Sequence, residues 1–453
     1  MRTSEHESVQ SFPVFRTLTE PQKNWLEKAL SIFADVRAGE GVVVVALTIN
    51  LAILLGSYYL LKTVRESLIL TEGGAEAKTY SAAAQAMLLV LLVPAYGIFA
   101  SRVPRLKLII WVSLFFVVNL LAFYFVGRAG LHEGVVFFIW VGIFNVFVIA
   151  QFWAFSNDVF GEAQGKRLFP IIGVGGSLGA LSGAWAAGEM IQWMGPYGLL
   201  LTAAVGIAVC LPLTGFADRW AARQPNEAGL QKSQTPLGKV GGFQLIFRDR
   251  YLLLIAVLTV LLNVVNTSGE FLLSKLVVQR SVEMFGPASD LARKTFVGEF
   301  YAHFFAWVNL LGLLLQTFIV SRLFRHIGVR GSIFILPSIA LVGYMTILIY
   351  PALYVVRVLK IFENSTDYSI QNTARQALFL PTSREAKYKA KAAIDTFFMR
   401  SGDVLTAGIV YVGTKLAFSI SAFATISVVL TLIWLLVTLG IYREHTQRIP
   451  EVA

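Results

Sequence analysis

The chain has 453 residues, of which 56% are hydrophobic and only 14% charged, with a formal net charge of +11 and a mean hydropathy of +0.67. Such a composition leaves too little polar surface to face water, so a soluble enzyme is excluded and a polytopic membrane protein is expected. A single cysteine, Cys210, excludes an internal disulfide.

In chain order, residues 1–40 carry no secretory signal-peptide pattern. Within them Thr19, Glu20 and Pro21 resemble a helix start. Trp25, Leu26, Leu30 and Phe33 then form an apolar face opposite Lys23, Glu27 and Lys28, which predicts an interfacial amphipathic helix. Apolar runs able to cross roughly 30 Å of hydrocarbon follow one another from Gly41 to Tyr442. They predict twelve transmembrane helices, at 42–70, 79–100, 106–127, 134–160, 168–194, 197–217, 251–279, 297–320, 331–350, 352–379, 392–416 and 420–442. The first, fourth, seventh and tenth exceed a straight crossing, so tilted, bent or projecting helices are expected.

Cationic loops resist translocation. The N-terminal segment, the even-numbered loops and the tail hold 25 of the 38 Lys and Arg, whereas the odd-numbered loops hold six (Lys78, Arg128, Arg280, Arg293, Lys294, Lys415). Both termini are therefore expected on the cytoplasmic side. The net charge is loop bias of this kind, and no nucleic-acid partner is expected.

The chain also repeats itself. Ser101-Arg102-Val103 with Arg105 and Lys107 echoes Ser321-Arg322-Leu323 with Arg325 and Arg330, and Asn50 precedes Lys62 by the same twelve residues that separate Asn263 from Lys275. The expected fold is an all-α membrane protein of two six-helix parallel repeats, major-facilitator-like. Its predicted parts are the N-terminal segment 1–40, a first half 41–217, a cytoplasmic linker 218–250, a second half 251–442 and a cytoplasmic tail 443–453.

Function should show where charge enters the membrane, because an ion at a helix centre costs at least about 2.5–3.5 kcal/mol unless paired or hydrated. Tyr58, Lys62 and Arg65 share one face of the first span, a stripe suited to a phosphorylated ligand with a flat base. Snorkelling to the interface, with Glu66 neutralising Arg65, is the plainer reading of the same stripe. On the seventh span Asn263, Asn266, Glu270 and Ser274 align, with Lys275 beside them. Glu270 there either closes a gate with a first-span cation, competes with an anionic substrate for it, binds a proton, or pairs structurally with Lys275 or Arg280. The tenth span is the most polar: Asn364, Tyr368, Gln371 and Arg375 form a cavity face, with Glu363 and Asp367 beside them. Arg375 presents a guanidinium fork suited to phosphate. Asn157 and Asp158 close the fourth span and either contact ligand or brace the basic turn at Lys166-Arg167.

Several patterns carry less. Gly175, Gly179 and Gly183 recur every four residues and predict close helix packing; the Gly-Lys-Ser/Thr ending of a phosphate-cradling loop does not occur, so ATP hydrolysis is not indicated. The five histidines have no metal-ligand spacing, and His303 reads as a core residue, so neither metal nor cofactor is expected.

Three motifs together resemble the ATP/ADP translocase family, the nucleotide transporters of plastids and intracellular bacteria. They are Tyr58-x-x-x-Lys62-x-x-Arg65-Glu66; Phe152-Trp153-x-Phe155-x-Asn157-Asp158 followed by Lys166-Arg167-x-x-Pro170; and Lys389-Ala390-Lys391-Ala392-Ala393-Ile394-Asp395. The resemblance implies a secondary transporter, not an enzyme, that exchanges ATP for ADP or related nucleotides by alternating access, in a bacterial inner membrane. It carries the family's first-helix cations to Lys62 and Arg65, its fourth-helix acid to Asp158, its seventh-helix Glu and Lys to Glu270 and Lys275, and its tenth-helix cation to Arg375. The chain has Lys62-Thr63 where the family usually has Arg-Asp, which keeps the sign of the first charge. The implied mechanism places phosphate on Lys62, Arg65 and Arg375, with Lys275 helping and a Tyr against the base. In it Glu270 and Asp158 form state-dependent pairs, and Asp367, Lys389, Lys391 and Asp395 stand as further gating or charge-pair candidates. Two other classes fit the same fold: a permease or exporter for another anionic metabolite, with Glu270 as proton carrier, and a non-transporting membrane scaffold.

Overall fold

The computed structural model describes residues 23–32, 34–100, 102–160, 162–223 and 241–448, and these residues are helical with short connections. The first half contains α1 (Trp25–Leu30), α2 (Gly41–Glu72), α3 (Gly74–Ala100), α4 (Arg105–Arg128), α5 (Gly134–Val159) and α6 (Glu162–Ala221). The second contains α7 (Gly242–Arg248), α8 (Arg250–Phe285), α9 (Asp290–Leu314), α10 (Val320–Ser332), α11 (Ile335–Ile349), α12 (Leu353–Thr366), α13 (Asn372–Ala377), α14 (Lys391–Ala393), α15 (Met399–Lys415) and α16 (Ile420–Arg448). Wider π turns interrupt it at Leu315–Ile319, Asp367–Gln371, Ala386–Ala390 and Ile394–Phe398. Eight helical stretches among the described residues are long and apolar enough to cross a membrane.

The 60-residue α6 is two arms joined at Gly195, whose φ of +70° suits only a residue without Cβ, and Pro196 then lacks the N–H to continue the ladder. The break falls between the fifth and sixth expected spans. Helix also runs on past residue 217 to Ala221, and α7 occupies 242–248, so parts of the expected linker are helical; residues 224–240 lie outside the described set.

The expected interfacial helix is shorter than its apolar face suggested. It is α1, begun by a reciprocal cap in which the Asn24 side chain accepts from Glu27 N–H and the Glu27 carboxylate accepts from Asn24 N–H. The start expected at Thr19–Pro21 and the side chain of Phe33 lie outside the described residues. Glu27 does not belong to a polar face: it is buried and also accepts the N–H of Gly39 at 2.6 Å. Burial opposes its charge, but the backbone donors of Asn24, Gly39 and Gly41 hold its carboxyl below the ordinary carboxylate range.

Two hydrophobic cores form, one centred in each half; the second also takes in Tyr59, Ile69, Leu70, Ala75, Phe138 and Ala184 of the first half. The first is organised by α2 lying against the first arm of α6 at backbone distance, as the four-residue glycine spacing predicts. A Cβ added to Gly179 would stand 2.1 Å from the Ala52 carbonyl oxygen, and one added to Gly183 2.5 Å from the Gly56 Cα.

The halves meet at the end of the bundle opposite the termini. There Ser67 donates to the Lys294 carbonyl at 2.6 Å, Lys294 pairs with Glu72 at 3.0 Å, and Gln192 donates to Glu299 at 3.1 Å. At the terminal end, by contrast, Arg105 holds Asp158 and Asp218, Arg167 holds Glu40, and Arg448 holds Asp249, each within its own half. Asp158 thus braces Arg105 at 3.0 Å, not the Lys166-Arg167 turn and not a first-span cation. The twelve-residue echo also diverges in use. Asn50 donates to Cys210 and Thr214 on α6, whereas Asn263 donates to Met399 and Asp403 on α15.

Candidate functional site

Counting 1.5 Å of rise per residue, Lys62 lies about 32 Å along α2 from Gly41, and Glu270 lies about 30 Å along α8 from Arg250. Both helices start at the terminal end, so the two charges stand at one level, deep in the bundle. Around that level a continuous charged network crosses between the halves.

Glu66 is its hub and is 1% exposed. Arg65 donates to Glu66 Oε1 at 2.5 Å, while Lys78 Nζ lies 2.8 Å from Glu66 Oε2. Lys78 then reaches the second half, 3.6 Å from Glu270 Oε2 and 3.0 Å from Ser274 Oγ as donor. Ser274 shares a hydrogen bond with Tyr301, and Asn364 Nδ2 donates to Glu270 Oε1 at 2.8 Å. Two cations and two carboxylates balance, which offsets the cost of keeping four ions from water.

Lys62 stands apart from this balance. Among the described residues it makes no hydrogen bond or ion pair; its ammonium lies 4.0 Å from the centre of the Phe305 ring and 5.2 Å from that of Tyr59. Tyr59 is fixed in turn by donating to Asn309 at 2.9 Å, and Tyr58 packs edge-on against it. A cation held only by ring faces keeps its donors free for an anion.

The tenth-span stripe is bent by the π turn at Asp367–Gln371, which adds a residue to the helical repeat. Asn364 and Gln371 are buried while Tyr368 is 47% exposed, and both polar atoms of the Gln371 side chain lack a partner. Arg375 forms no ion pair among the described residues: Nη1 meets the Met399 sulfur at 3.8 Å, and Nε is buried without a partner. It stands eleven residues, roughly 16 Å of rise, from Asn364 towards the terminal end. Counted along the helix, Arg375 therefore stands nearer the terminal end than Lys62.

Other expected residues lie elsewhere. Lys275 pairs with Glu76 at 3.4 Å, on the far side of Lys78, and Arg280 pairs with Glu283. Lys391 and Asp395 bind each other at 2.7 Å in the approach to α15, and Gly242 of α7 packs on the Lys389 backbone. Three groups were not singled out from sequence. Lys78 read as a loop cation, yet it sits inside α3 and is 12% exposed. Lys360 is fully buried, bonded to Asn266 and Glu363. Arg400 leans on Asp403 at 3.6 Å. The readable signal for the last two was an acid three residues on; for Lys78 there was none in its own neighbourhood. Among the described residues no three His, Cys, Asp or Glu side chains group to hold a metal.

Residues 134–445, more than two thirds of the chain, match the family described as TLC ATP/ADP transporter. The chain belongs to this family. The ADP,ATP carrier protein 1 of Chlamydia pneumoniae is 21% identical over 305 residues, 57% of this chain and 56% of that one. The ADP,ATP carrier protein 3 of Rickettsia prowazekii is 22% identical over 319 residues, 58% and 59% of the two chains. The match thus spans little more than half the length of these curated relatives. Among solved structures, a bacterial homologue of the iron transporter ferroportin aligns with a TM-score of 0.63 at 14% identity, covering 88% of this chain and 98% of that one. The nucleoside transporter NupG aligns at 0.59 and 12%, with the same coverage. These likenesses establish a major-facilitator-type fold. The matched region holds Glu270, Asn364 and Arg375, while Lys62, Arg65 and Lys78 precede it.

The chain carries one more ionisable cluster, where the halves meet. Glu133, just ahead of α5, is 4% exposed, and neither carboxylate oxygen has a hydrogen-bond partner. Burial, then the nearby Glu72 carboxylate, push its pKa up to about 7 against the opposing pull of Lys294. A carboxyl raised in the fold stabilises it fully below its unfolded value near 4.5 and loses that contribution as pH rises through about 7. Thermal unfolding in detergent should accordingly show a melting temperature that falls between pH 5 and 8, and Glu133→Gln should flatten that slope.

Proposed function

We propose that this TLC transporter exchanges nucleotides, ATP for ADP or close relatives, by alternating access, with twelve crossings and both termini on the cytoplasmic side of a bacterial inner membrane. The observation that carries the reading is Lys62: a deep cation without a counter-ion, held over Tyr59 and Phe305 at the level where the halves join. A phosphate on Lys62 replaces the missing counter-charge, and Tyr368, whose ring is exposed, offers a face to a base. The names of the Chlamydia and Rickettsia carriers supply the nucleotide.

Arg375, some 16 Å nearer the terminal end, acts earlier on the path, drawing the anion inward before it reaches Lys62. Glu270 already receives Lys78 and Asn364, which favours competition between substrate and carboxylate for a cation over proton carriage by Glu270. Purified protein in liposomes, given labelled ATP outside, should take it up with ADP inside and should do so poorly with phosphate or buffer inside. Uptake that ignores the internal nucleotide, or none at all, overturns exchange.

A further inference from the structure

We infer that Lys78 is the residue that ties movement of the empty carrier to substrate, acting as a lock between the halves that only a bound anion releases. The inference rests on the exchange reading above and adds to it a cation that neither the motifs nor the family match contains.

Lys78 is the point where five helices converge. It sits on α3 with its counter-ion Glu66 on α2, both in the first half, and it reaches Glu270 and Ser274 on α8 in the second. Its ammonium faces the Tyr301 ring of α9 at 5.0 Å, and Asn364 of α12 holds the other Glu270 oxygen. The halves touch at this end, so opening here must pull α3 from α8. In the empty carrier that movement strips Glu270 of its cation and leaves it with one neutral donor, while Lys78 keeps Glu66. Lys78 and Glu270 are 12% and 23% exposed, and taking one partner from a largely buried pair is unfavourable, so the empty carrier stays closed at this end.

A phosphate arriving at Lys62, three residues from Arg65 and four from Glu66 on the same helix, changes the balance. Its charge competes with Glu270 for Lys78, so the bond across the halves is already exchanged for one to the substrate before the halves part. Opening then takes no further cation from Glu270. The other buried pair across this end, Lys294 with Glu72, parts with each ion keeping partners in its own half, Asp290 for Lys294 and the N–H groups of Glu133 and Gly134 for Glu72. A ligand shifts an equilibrium only through its different interaction with the two states, and Lys78 is where that difference arises. Lys275 with Glu76 also spans the halves, but both are about one-third exposed and water can replace their contact.

The test is net efflux. Liposomes loaded with labelled ADP and diluted into nucleotide-free buffer should retain it with the wild-type protein and release it with Lys78→Gln, at a rate roughly 5- to 150-fold higher, the usual span of a coupling between two states. Lys78→Arg should restore retention. Spin labels at Leu131→Cys and Leu291→Cys, both exposed near the closed end, with buried Cys210 replaced by Ser, supply a second readout. Nucleotide-free Lys78→Gln protein should show a longer distance than wild type. If Lys78→Gln does not fold, Glu270→Gln breaks the same link and should behave alike. Efflux that still requires external nucleotide, with unchanged distances, overturns the lock. If wild-type protein exchanges no nucleotide, the exchange reading falls, and the distance measurement alone decides on the lock.

Discussion

Lys62→Gln should raise the nucleotide concentration needed for half-maximal exchange by roughly 10- to 150-fold, the loss expected when a charge-assisted hydrogen bond of about 1.5–3 kcal/mol is removed. Lys62 is the deep cation of the site whose donors are free, so nothing internal is orphaned by its removal. The fold should therefore survive, and the effect should read as weakened binding and not as unfolding. Arg65→Gln is the contrasting case: it strips a partner from buried Glu66, and its cost should appear first as a lower melting temperature. Arg375→Gln should act differently again. Standing roughly 16 Å from the level of Lys62, it should slow uptake at low salt and lose its effect as salt screens the approach. Lys275→Gln, whose partner Glu76 is outside the cluster, should leave half-saturation near wild type. Concentration dependence of labelled ADP exchange at two ionic strengths separates the four variants. Equal losses for Lys62 and Lys275 would contradict the geometry.

The membrane class and most helix positions were legible because one solvent imposes one rule, a long apolar run, and that rule needs no knowledge of neighbours. The gap between the expected spans 168–194 and 197–217 coincides with the break at Gly195, and Gly175, Gly179 and Gly183 marked a close approach, a backbone demand that only particular residues meet. Pairing was less legible. Glu270 was expected to look to Lys275, Arg280 or the first span, but its cation comes from α3, 192 positions earlier in the chain. Lys78 was hidden because a charge at the start of an apolar helix resembles any loop lysine until the fold brings a carboxylate to each side of it. The tenth-span stripe was drawn with an ideal helical period, and the π turn at Asp367–Gln371 breaks that period, leaving Asn364 and Gln371 buried and Tyr368 exposed. Level in the bundle was the remaining blind spot: Lys62 and Arg375 matched in charge and lay on helices of opposite direction, so their separation appears only when rise is counted from each helix start.

Gly179→Ala should lower the melting temperature sharply and impair folding, although alanine is the better helix former by about 1 kcal/mol. The added Cβ would stand 2.1 Å from the Ala52 carbonyl oxygen and 2.6 Å from its Cα, and neither atom can rotate aside. The whole of α2 must shift, which overpacking experience puts at about 1–3 kcal/mol or more, with Val worse than Ala. Ala52→Gly should not rescue it, since the obstructing atoms are backbone. Gly173 of the same helix supplies the control, because a Cβ there meets nothing within 4 Å, so Gly173→Ala should match or exceed wild type. The consequence reaches the site, since α2 carries Lys62, Arg65 and Glu66 ten to fourteen positions beyond Ala52. A helix displaced along the glycine seam moves the unpaired ammonium away from Phe305 of the other half. Gly179→Ala protein that does fold should therefore lose nucleotide affinity as well as stability, whereas Gly173→Ala should lose neither.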